Sequence, residues 1–336
     1  MCGVSPARGR GGRWQGRFGA EWLGADLVLL RADSSRWPSP GNVLVVLDRD
    51  GAALVDCGFG TANGMEALEA GLRSVGRSLA AVHTVLCTHP HTDHAGAAAS
   101  LAAGRRVLVP AGARAILDDP TLVAEAILPP VVREFAPWLA DLDIDRHFQD
   151  ECGAVALPPD HAVEEVQPGA MIRLGGYAWT AVPTPGHDAH LMCYWEQRTG
   201  MLVYSDLLVT RGTAIPWYAP GGGGTGAYRE SLRRVAALEP RLGISGHGGL
   251  LAGPTAVATS IEATERQITA RTERIAAALA RGPATFAELE RCVYPPVVHD
   301  VIPWASSVTA VHVTEALESG IAKPGDGVFV ATGGLG

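Results

Sequence analysis

The segment Thr88-His89-Pro90-His91-Thr92-Asp93-His94 places three histidines and one aspartate within six residues. It directly follows Val82–Cys87, an apolar run rich in β-branched residues that predicts a buried strand. A loop that leaves a strand can direct alternate side chains toward one point, and neighbouring imidazoles are readily held together by a shared cation. The segment therefore predicts a metal-binding loop.

The geometry of this loop predicts two ions. His89 and His91 can converge on one ion, and Asp93 and His94, which turn the other way, can reach a second. Two sites need further ligands, and the chain offers them directly after predicted strands. They are His187 after 178–182, Asp206 after 201–204 and His247 after 241–245.

These motifs resemble, in content and order, those of the metallo-β-lactamase superfamily. They are the DxG turn at residues 56–58, THPHTDHAG from residue 88, PTPGH ending at His187, Ser205-Asp206, and SGHGG around His247. The resemblance covers roughly residues 25–255. It implies an α/β fold of the αββα type, in which two mixed sheets pack face to face between helices.

The resemblance also implies a role for each matching residue. The first metal would be held by His89, His91 and His187, the second by Asp93, His94 and His247, and Asp206 would bridge them. Asp56 matches a position that supports the site without binding metal. Asp93 would also orient the attacking hydroxide and carry a proton to the leaving group.

A finer resemblance is to the branch called β-lactamase-like protein 2. In that branch the TPGH motif is soon followed by another histidine, which here is His190 in TPGHDAHLM, and a winged-helix domain ends the chain. We expect His190 to act at the catalytic site by orienting a metal ligand.

The C-terminal part predicts a small winged-helix-like domain over 261–336, because three helical patterns precede a turn and a strand. We place the domain boundary near residue 260, so that the metallo-β-lactamase domain spans 21–260. Residues 1–20 are rich in glycine and arginine and predict a flexible tail. The C-terminal region carries more acidic than basic residues, so we expect it to pack or dimerise rather than bind DNA.

Residues 110–165 mix apolar helical pieces with several prolines and predict a helical lid inserted over the site. Trp217 and Tyr218 would extend an apolar wall beside the metals, and Arg211 could meet a substrate carboxylate or phosphate. Such a wall suits an acyl chain or an aromatic polyketide better than a phosphodiester backbone.

Two close divalent ions lower the pKa of a shared water and polarise a carbonyl, so no serine or cysteine nucleophile is needed. Zinc is the predicted metal, since imidazoles with a few carboxylates suit it, and iron or manganese fit the same ligands. We therefore expect a hydrolase that uses a metal-bridging hydroxide to cleave an ester or thioester of a small-molecule or carrier-bound acyl substrate.

Two alternatives stay open on the same fold, a single-stranded RNA endoribonuclease and an iron-dependent oxygenase or redox enzyme. A net charge of −8, with Lys323 as the one lysine, weighs against nucleic acid as a partner. The N-terminal residues lack an apolar core, so we expect no signal peptide and a cytoplasmic location without membrane contact. A homodimer is one expected assembly.

Overall fold

The computed structural model describes residues 16–33, 39–118, 163–208, 210, 214–217, 223–294 and 305–332. These residues form two β-sheets that pack face to face, helices on both outer faces, and a C-terminal group of helices with a short hairpin. None of the described helices combines the length and the apolarity needed to cross a membrane.

The first sheet contains, among the described residues, seven strands in sequential order. They are β1 (Phe18–Trp22), β2 (Leu27–Ala32), β3 (Val43–Leu47), β4 (Ala52–Val55), β5 (Val82–Leu86), β6 (Arg106–Pro110) and β7 (Val163–Val166). Pairing is antiparallel from β1 to β4 and parallel from β4 to β7. β3 and β4 form a hairpin whose turn contains Asp50 and Gly51.

The second sheet has the order β13-β12-β11-β10-β9-β8. Its strands are β8 (Met171–Leu174), β9 (Tyr177–Pro183), β10 (Met192–Glu196), β11 (Met201–Ser205), β12 (Leu242–Ser245) and β13 (Leu251–Ala252). Only the β11–β12 pair in this sheet is parallel. Both sheets are therefore mixed, as predicted.

Helices cover the outer faces of the sandwich and form its C-terminal extension. They are α1 (Ala62–Ser74), α2 (Thr92–Ala95), α3 (Ala98–Leu101), α4 (Ala113–Asp118), α5 (Gly224–Ala236), α6 (Pro254–Leu279), α7 (Phe286–Val293) and α8 (Ala305–Glu318). A hairpin of β14 (Ala322–Pro324) and β15 (Phe329–Ala331) follows them.

Side chains that alternate between the two faces of each strand produce the layers of the sandwich. In β2, Val28 and Leu30 pack under α1, whereas Leu27 and Leu29 face the second sheet. Successive strand residues point to opposite faces, so a strand that is apolar on both faces must be covered on both. On the far side, the second sheet buries its outer face against α5 and the first half of α6. These layers confirm the predicted αββα sandwich.

Order begins earlier than the predicted tail of residues 1–20 implies. β1 starts at Phe18 and pairs with β2 from its first residue, Phe18 opposite Ala32. Phe18 is 8% exposed and packs into the core beside Gly71 of α1. The glycine- and arginine-rich sequence before β1 gives no strand signal, because β1 is stabilised by pairing with β2 and by the buried ring of Phe18. Residues 1–15 lie outside the described residues.

The predicted boundary near residue 260 falls inside the 26-residue helix α6. Val257 and Ile261 belong to the core of the sandwich, whereas Ile275 and Leu279 belong to a second core with α7 and α8. The helix is therefore shared by both parts, and no linker divides them at that point. Three helices and a hairpin do occur in the predicted order.

The ends of the predicted lid over 110–165 belong to the sandwich. Pro110 closes β6, α4 follows it, and residues from Val163 onward form β7, which pairs with β6 in the first sheet. The rest of the predicted lid, 119–162, lies outside the described residues.

Candidate metal centre

The predicted ligands all lie at one edge of the sandwich, where strands end. His89 and His91 lie in the loop after β5, Asp93 and His94 lie in the short helix α2 that follows it, and the loops after β9, β11 and β12 carry one further ligand each. The structure brings the seven side chains together in two groups. The first is His89, His91 and His187, and the second is Asp93, His94, Asp206 and His247, with the candidate ligand atoms of each group within 4.8 Å of one another.

The first group consists of three buried imidazoles. The Nε2 atom of His89 lies 2.9 Å from Nδ1 of His91, and Nε2 of His187 lies 3.1 Å from the same Nδ1 atom. Three ring nitrogens thus face one point. His91 presents Nδ1, whereas the other two present Nε2, a difference that sequence spacing alone does not specify.

The second group combines imidazoles with carboxylates. Nε2 of His247 lies 3.1 Å from Oδ2 of Asp93 and 3.2 Å from Nε2 of His94. Asp206 lies between the groups, since its Oδ1 atom is 3.3 Å from Nε2 of His94 and its Oδ2 atom is 3.5 Å from Nε2 of His187. This position suits a carboxylate that contacts two ions at once.

Backbone geometry holds Asp206 in this position. Ser205, directly before it, has φ of 48°, in the left-handed region that is unfavourable for residues other than glycine. A Cβ atom on Gly246 would lie 2.1 Å from Oδ1 of Asp206 and 2.7 Å from Cε1 of His94. Only glycine leaves room at residue 246 for the carboxylate and the imidazole.

For His89, His94 and His187 the second ring nitrogen meets an oxygen. Nδ1 of His94 lies 2.8 Å from Oδ2 of Asp56, and Nδ1 of His187 lies 3.0 Å from the carbonyl oxygen of Ile215. Because a carbonyl oxygen can only accept, Nδ1 of His187 donates its proton there and Nε2 keeps a free lone pair. Such contacts fix the tautomer in which an imidazole binds a metal.

Thr88 completes this support for His89. Its hydroxyl donates to Oδ2 of Asp56 at 2.9 Å, so it can accept the proton on Nδ1 of His89, 3.0 Å away. Asp56 also accepts from the Thr88 backbone N–H at 2.8 Å and has φ of 60°. The prediction that Asp56 lies near the site without joining the ligands agrees with this geometry.

Asp188 is a residue of the site that sequence reasoning missed. Its Oδ2 atom lies 3.6 Å from Nε2 of His91, the nitrogen that faces away from the other ligands, and its Oδ1 atom accepts from the His190 backbone N–H at 2.7 Å. The available signal was its position directly after the TPGH motif. Its contact with His91 depends on two distant loops meeting.

Electrostatics differ between the two groups. Burial, reinforced by neighbouring imidazoles, lowers the pKa of His89 well below its ordinary value and that of His91 to about 4. Both rings are therefore neutral at physiological pH, which is the form that binds metal.

In the second group the carboxylates of Asp93 and Asp206 determine the direction of the histidine pKa shifts. Burial opposes charge on His247, but Asp206 and Asp93 outweigh it and raise its pKa to about 9, and they likewise raise the pKa of His94. Burial also opposes the charged form of Asp93, yet His94 and His247 lower its pKa to about 2. The carboxylates thus favour positive charge here, which a divalent cation supplies while leaving both ring nitrogens free to coordinate.

The donor set fits two divalent ions. Imidazole and carboxylate ligands, with oriented outer partners, are typical of zinc and of other first-row metals. Oδ1 of Asp206 and Nε2 of His91 are buried without a hydrogen-bond partner among the described residues. The Asp206 oxygen faces the second group, where a cation would satisfy it.

Two other predicted site residues, His190 and Trp217, lie near the candidate ligands but belong to neither group. The His190 ring joins neither group, and its Nδ1 atom lies 3.2 Å from the carbonyl oxygen of Ala111. The expected link from this loop to a ligand therefore runs through Asp188 instead. Trp217 is 8% exposed, and its ring stacks on His187 at a centroid distance of 5.4 Å. The Trp217 ring therefore packs against the candidate ligand His187 and does not line an open apolar wall beside the metals.

Two predicted substrate residues, Arg211 and Tyr218, lie outside the described residues.

This arrangement matches a known family. Residues 36–247 match the family model of the metallo-β-lactamase superfamily, and the chain belongs to that superfamily. Over nearly its whole length the chain is also similar to a bacterial metallo-hydrolase. The probable metallo-hydrolase YqjP of Bacillus subtilis is 27% identical over 304 residues, which cover 84% of this chain and 92% of that protein. The fold and the site thus define a member of the metallo-β-lactamase superfamily.

Solved structures agree on the fold. A metallo-β-lactamase family protein of Thermus thermophilus superimposes with a TM-score of 0.74 at 24% identity, covering 92% of this chain and all of that one. A β-lactamase domain protein of Burkholderia ambifaria superimposes with a TM-score of 0.70 at 20% identity, and the match covers 93% of this chain and 94% of that one. A shorter sequence match is to the atrochrysone carboxyl ACP thioesterase of Aspergillus fumigatus, which is 29% identical over 109 residues. That match covers 32% of this chain and 33% of that protein.

Proposed function

We propose that this protein is a binuclear metal-dependent hydrolase that cleaves an ester or thioester of an acyl substrate, either a small molecule or a carrier-bound acyl group. The observation that carries the proposal is the uneven exposure of the ligands. His89 and His94 are fully buried at 0%, whereas the side chains of Asp93 and His247 are 24% and 28% exposed. A substrate would therefore approach on the side of Asp93 and His247.

A cavity of about 650 Å³ borders this side. Its lining includes Gly248 and Gly249, which directly follow His247, and Thr210, whose hydroxyl donates to the His247 carbonyl at 3.1 Å. The volume lies within the range typical of small-molecule sites, about 300–1,000 Å³. Arg17, Arg31 and Asp33 also line the cavity and none of the seven ligands does, so it would hold the polar carrier arm of an acyl substrate next to the His247 loop.

Two divalent ions at this centre would supply an acidified water as nucleophile and would polarise the carbonyl under attack. Asp93 is the exposed carboxylate at the entrance, so we assign to it the orientation of the attacking water and the transfer of the proton to the leaving group. Asp206 keeps the two groups of ligands at a fixed spacing. The pKa of Asp93, about 2, keeps its carboxylate ionised, the form that accepts a hydrogen bond from the attacking water.

The thioester class is supported by the partial relatives, which are named as acyl-carrier-protein thioesterases. Charge supports the same class, since a chain with a net charge of −8 is poorly matched to RNA.

Several finer assignments belong to the same proposal. We assign zinc as the metal because one of the two groups consists of three imidazoles. We further propose that the C-terminal helices and hairpin form a winged-helix unit of the β-lactamase-like protein 2 type, and that the protein is cytoplasmic.

The proposal is tested by thiol release from a panel of acyl-CoA and acyl-pantetheine thioesters. Wild type is compared with Asp206→Ala, and Asp50→Ala, an exposed aspartate of the β3–β4 turn, is the matched control. We expect turnover in wild type and in Asp50→Ala, and its loss in Asp206→Ala. Parallel assays measure cleavage of single-stranded RNA and oxygen consumption by iron-loaded protein.

Wild type that holds two metals and turns over no thioester or ester would overturn the proposal. RNA cleavage or oxygen consumption that disappears in Asp206→Ala would replace it with the corresponding alternative.

A further inference from the structure

The described segment Ala214–Trp217 lies between the metal ligands and the long helix α6. It follows the Asp206 loop and precedes α5, and it contacts both neighbours through its backbone. This position makes it a physical link between the C-terminal helices and the metal centre.

On the side of the site, the segment supports His187. The Ile215 carbonyl accepts from Nδ1 of His187 at 3.0 Å, and the Trp217 ring stacks on the same imidazole with an interplanar angle of 26°. The Trp217 ring also lies 4.4 Å from the His91 ring, between centroids. The Trp217 backbone N–H donates to the Gly186 carbonyl at 2.9 Å, so the segment is tied to the TPGH loop itself.

On the side of the helix, Arg271 and Gln267 hold the segment at Ala214. Nη1 of Arg271 donates to the Ala214 carbonyl at 2.6 Å, and Oε1 of Gln267 accepts from the Ala214 N–H at 2.9 Å. The two side chains are four residues apart on α6 and so share one face of the helix. Side chains of α6 thus form hydrogen bonds with both the N–H and the carbonyl group of Ala214, the residue directly before Ile215.

Arg271 is an unusual side chain to find in this place. It is 4% exposed, and its guanidinium lies 5.0 Å from the centre of the Tyr294 ring. Burial lowers its pKa, which shows that the surroundings disfavour its charge. A buried guanidinium is costly unless its hydrogen bonds are well directed. An apolar residue would fill the same space, so the role of the guanidinium lies in its polar contacts, among them the hydrogen bond to the Ala214 carbonyl.

We propose that Arg271 and Gln267 are positioning residues of the metal centre. Through Ala214 and Ile215 they hold His187 in the orientation and tautomer that binds metal. The C-terminal helices are therefore part of the metal centre rather than an independent appendage. This inference rests on the proposed function in one respect, namely that His187 binds a metal ion.

The test uses full-length protein and Co²⁺ as the probe. The affinity of each binding step is measured by competition with a chelator, the visible absorption of bound Co²⁺ reports ligand geometry, and kcat and KM are measured separately. The variants are Arg271→Met, Gln267→Leu and Arg271→Lys. Arg274→Met is the matched control, because Arg274 lies one turn along α6 and its Nη1 donates to the Val293 carbonyl, away from the segment.

We expect Arg271→Met to weaken one Co²⁺ binding step by about tenfold or more, to shift the absorption bands and to lower kcat with little change in KM. Gln267→Leu should weaken the same step by less, and Arg271→Lys should restore part of the affinity. Arg274→Met should bind Co²⁺ like wild type, even where it lowers thermal stability.

The inference is overturned if Arg271→Met and Gln267→Leu bind both ions with the affinity and spectrum of wild type. It is also overturned if Arg274→Met loses affinity to the same extent, since the effect would then be general loosening of α6. If Arg271→Met does not fold, Gln267→Leu decides the matter. Wild type that binds fewer than two ions would instead contradict the proposed function.

Discussion

The Asp56 carboxylate accepts a hydrogen bond from Nδ1 of His94 at 2.8 Å, although the two residues are 38 positions apart in the chain. They meet because β4 and β5 are adjacent parallel strands, and Asp56 and the metal-binding loop follow their carboxyl ends. Oδ2 of the same carboxylate accepts from Thr88, which supports His89. One carboxylate thereby orients a ligand in each of the two groups.

Replacement of Asp56 by Asn is therefore expected to weaken metal binding without removing a ligand. A neutral amide is a weaker acceptor than a carboxylate for the Nδ1–H of His94, and outer partners of this kind contribute about 10–100-fold in metal affinity. Metal affinity measured by chelator competition checks this expectation. Asp48→Asn, in the β3–β4 turn, is the control and should bind metal normally. Equal affinities in the two variants would show that the contact of Asp56 with His94 is not important for binding.

Gly246→Ala is expected to damage the site through sterics alone. The added Cβ atom would lie 2.1 Å from Oδ1 of Asp206, so the carboxylate must move. Displacement of a catalytic group by about 1 Å can cost about a hundredfold in rate. Gly249→Ala, three residues along the same loop, meets nothing within 4 Å and is the control. Activity of both variants is measured on the same thioester, and wild-type activity in Gly246→Ala would contradict the expectation.

Gly249→Phe should fill the cavity beside His247 without disturbing the ligands. An aromatic ring at residue 249 extends into open space and competes with the substrate, so KM should rise by about tenfold, equivalent to about 1.4 kcal/mol. Gly226→Phe on α5, where a Cβ atom likewise meets nothing within 4 Å, should leave KM unchanged. Unaltered KM in Gly249→Phe, with normal metal content, would place the substrate elsewhere.

His312 couples the stability of the C-terminal helices to pH. It is 0% exposed, and its Nδ1 atom lies 3.0 Å from the Thr272 hydroxyl and 3.7 Å from Oε2 of Glu315. Burial lowers its pKa from 6.5 to about 4, with a further contribution from Arg271, and Glu315 opposes the shift. Arg229 forms an ion pair with the same Glu315.

Because the folded-state pKa of His312 is below its unfolded value, the unfolded chain binds more protons between pH 6.5 and 4. Stability is therefore full above pH 6.5 and falls as pH decreases through this window, by about 3 kcal/mol from this group. His312→Gln should reduce the slope of unfolding free energy against pH, as measured by urea denaturation of wild type and variant. Parallel slopes in the two proteins would exclude His312 as the source.

Much of the fold could be predicted from the sequence because its signals are local. The β3–β4 hairpin, for example, has an Asp-Gly turn between two apolar runs, a pattern typical of hairpins. β1 and β10 gave no comparable signal. β1 depends on pairing with β2, and β10 is a central strand between β9 and β11 whose apolar run is short. Strands of this kind are stabilised by their neighbours more than by their own composition.

The sequence by itself predicted the seven candidate ligands. Four of them share one short segment and three others follow strands, and the resemblance to the metallo-β-lactamase superfamily completed the set. Only the tertiary structure decided which nitrogen each imidazole presents, because that choice depends on Asp56, Asp188 and the Ile215 carbonyl, all distant in the chain from the histidines they contact. It also decided that α6 reaches the metal centre through Arg271. Hydrogen bonds between remote segments leave no periodic trace in a sequence, since they form only once packing has brought donor and acceptor together.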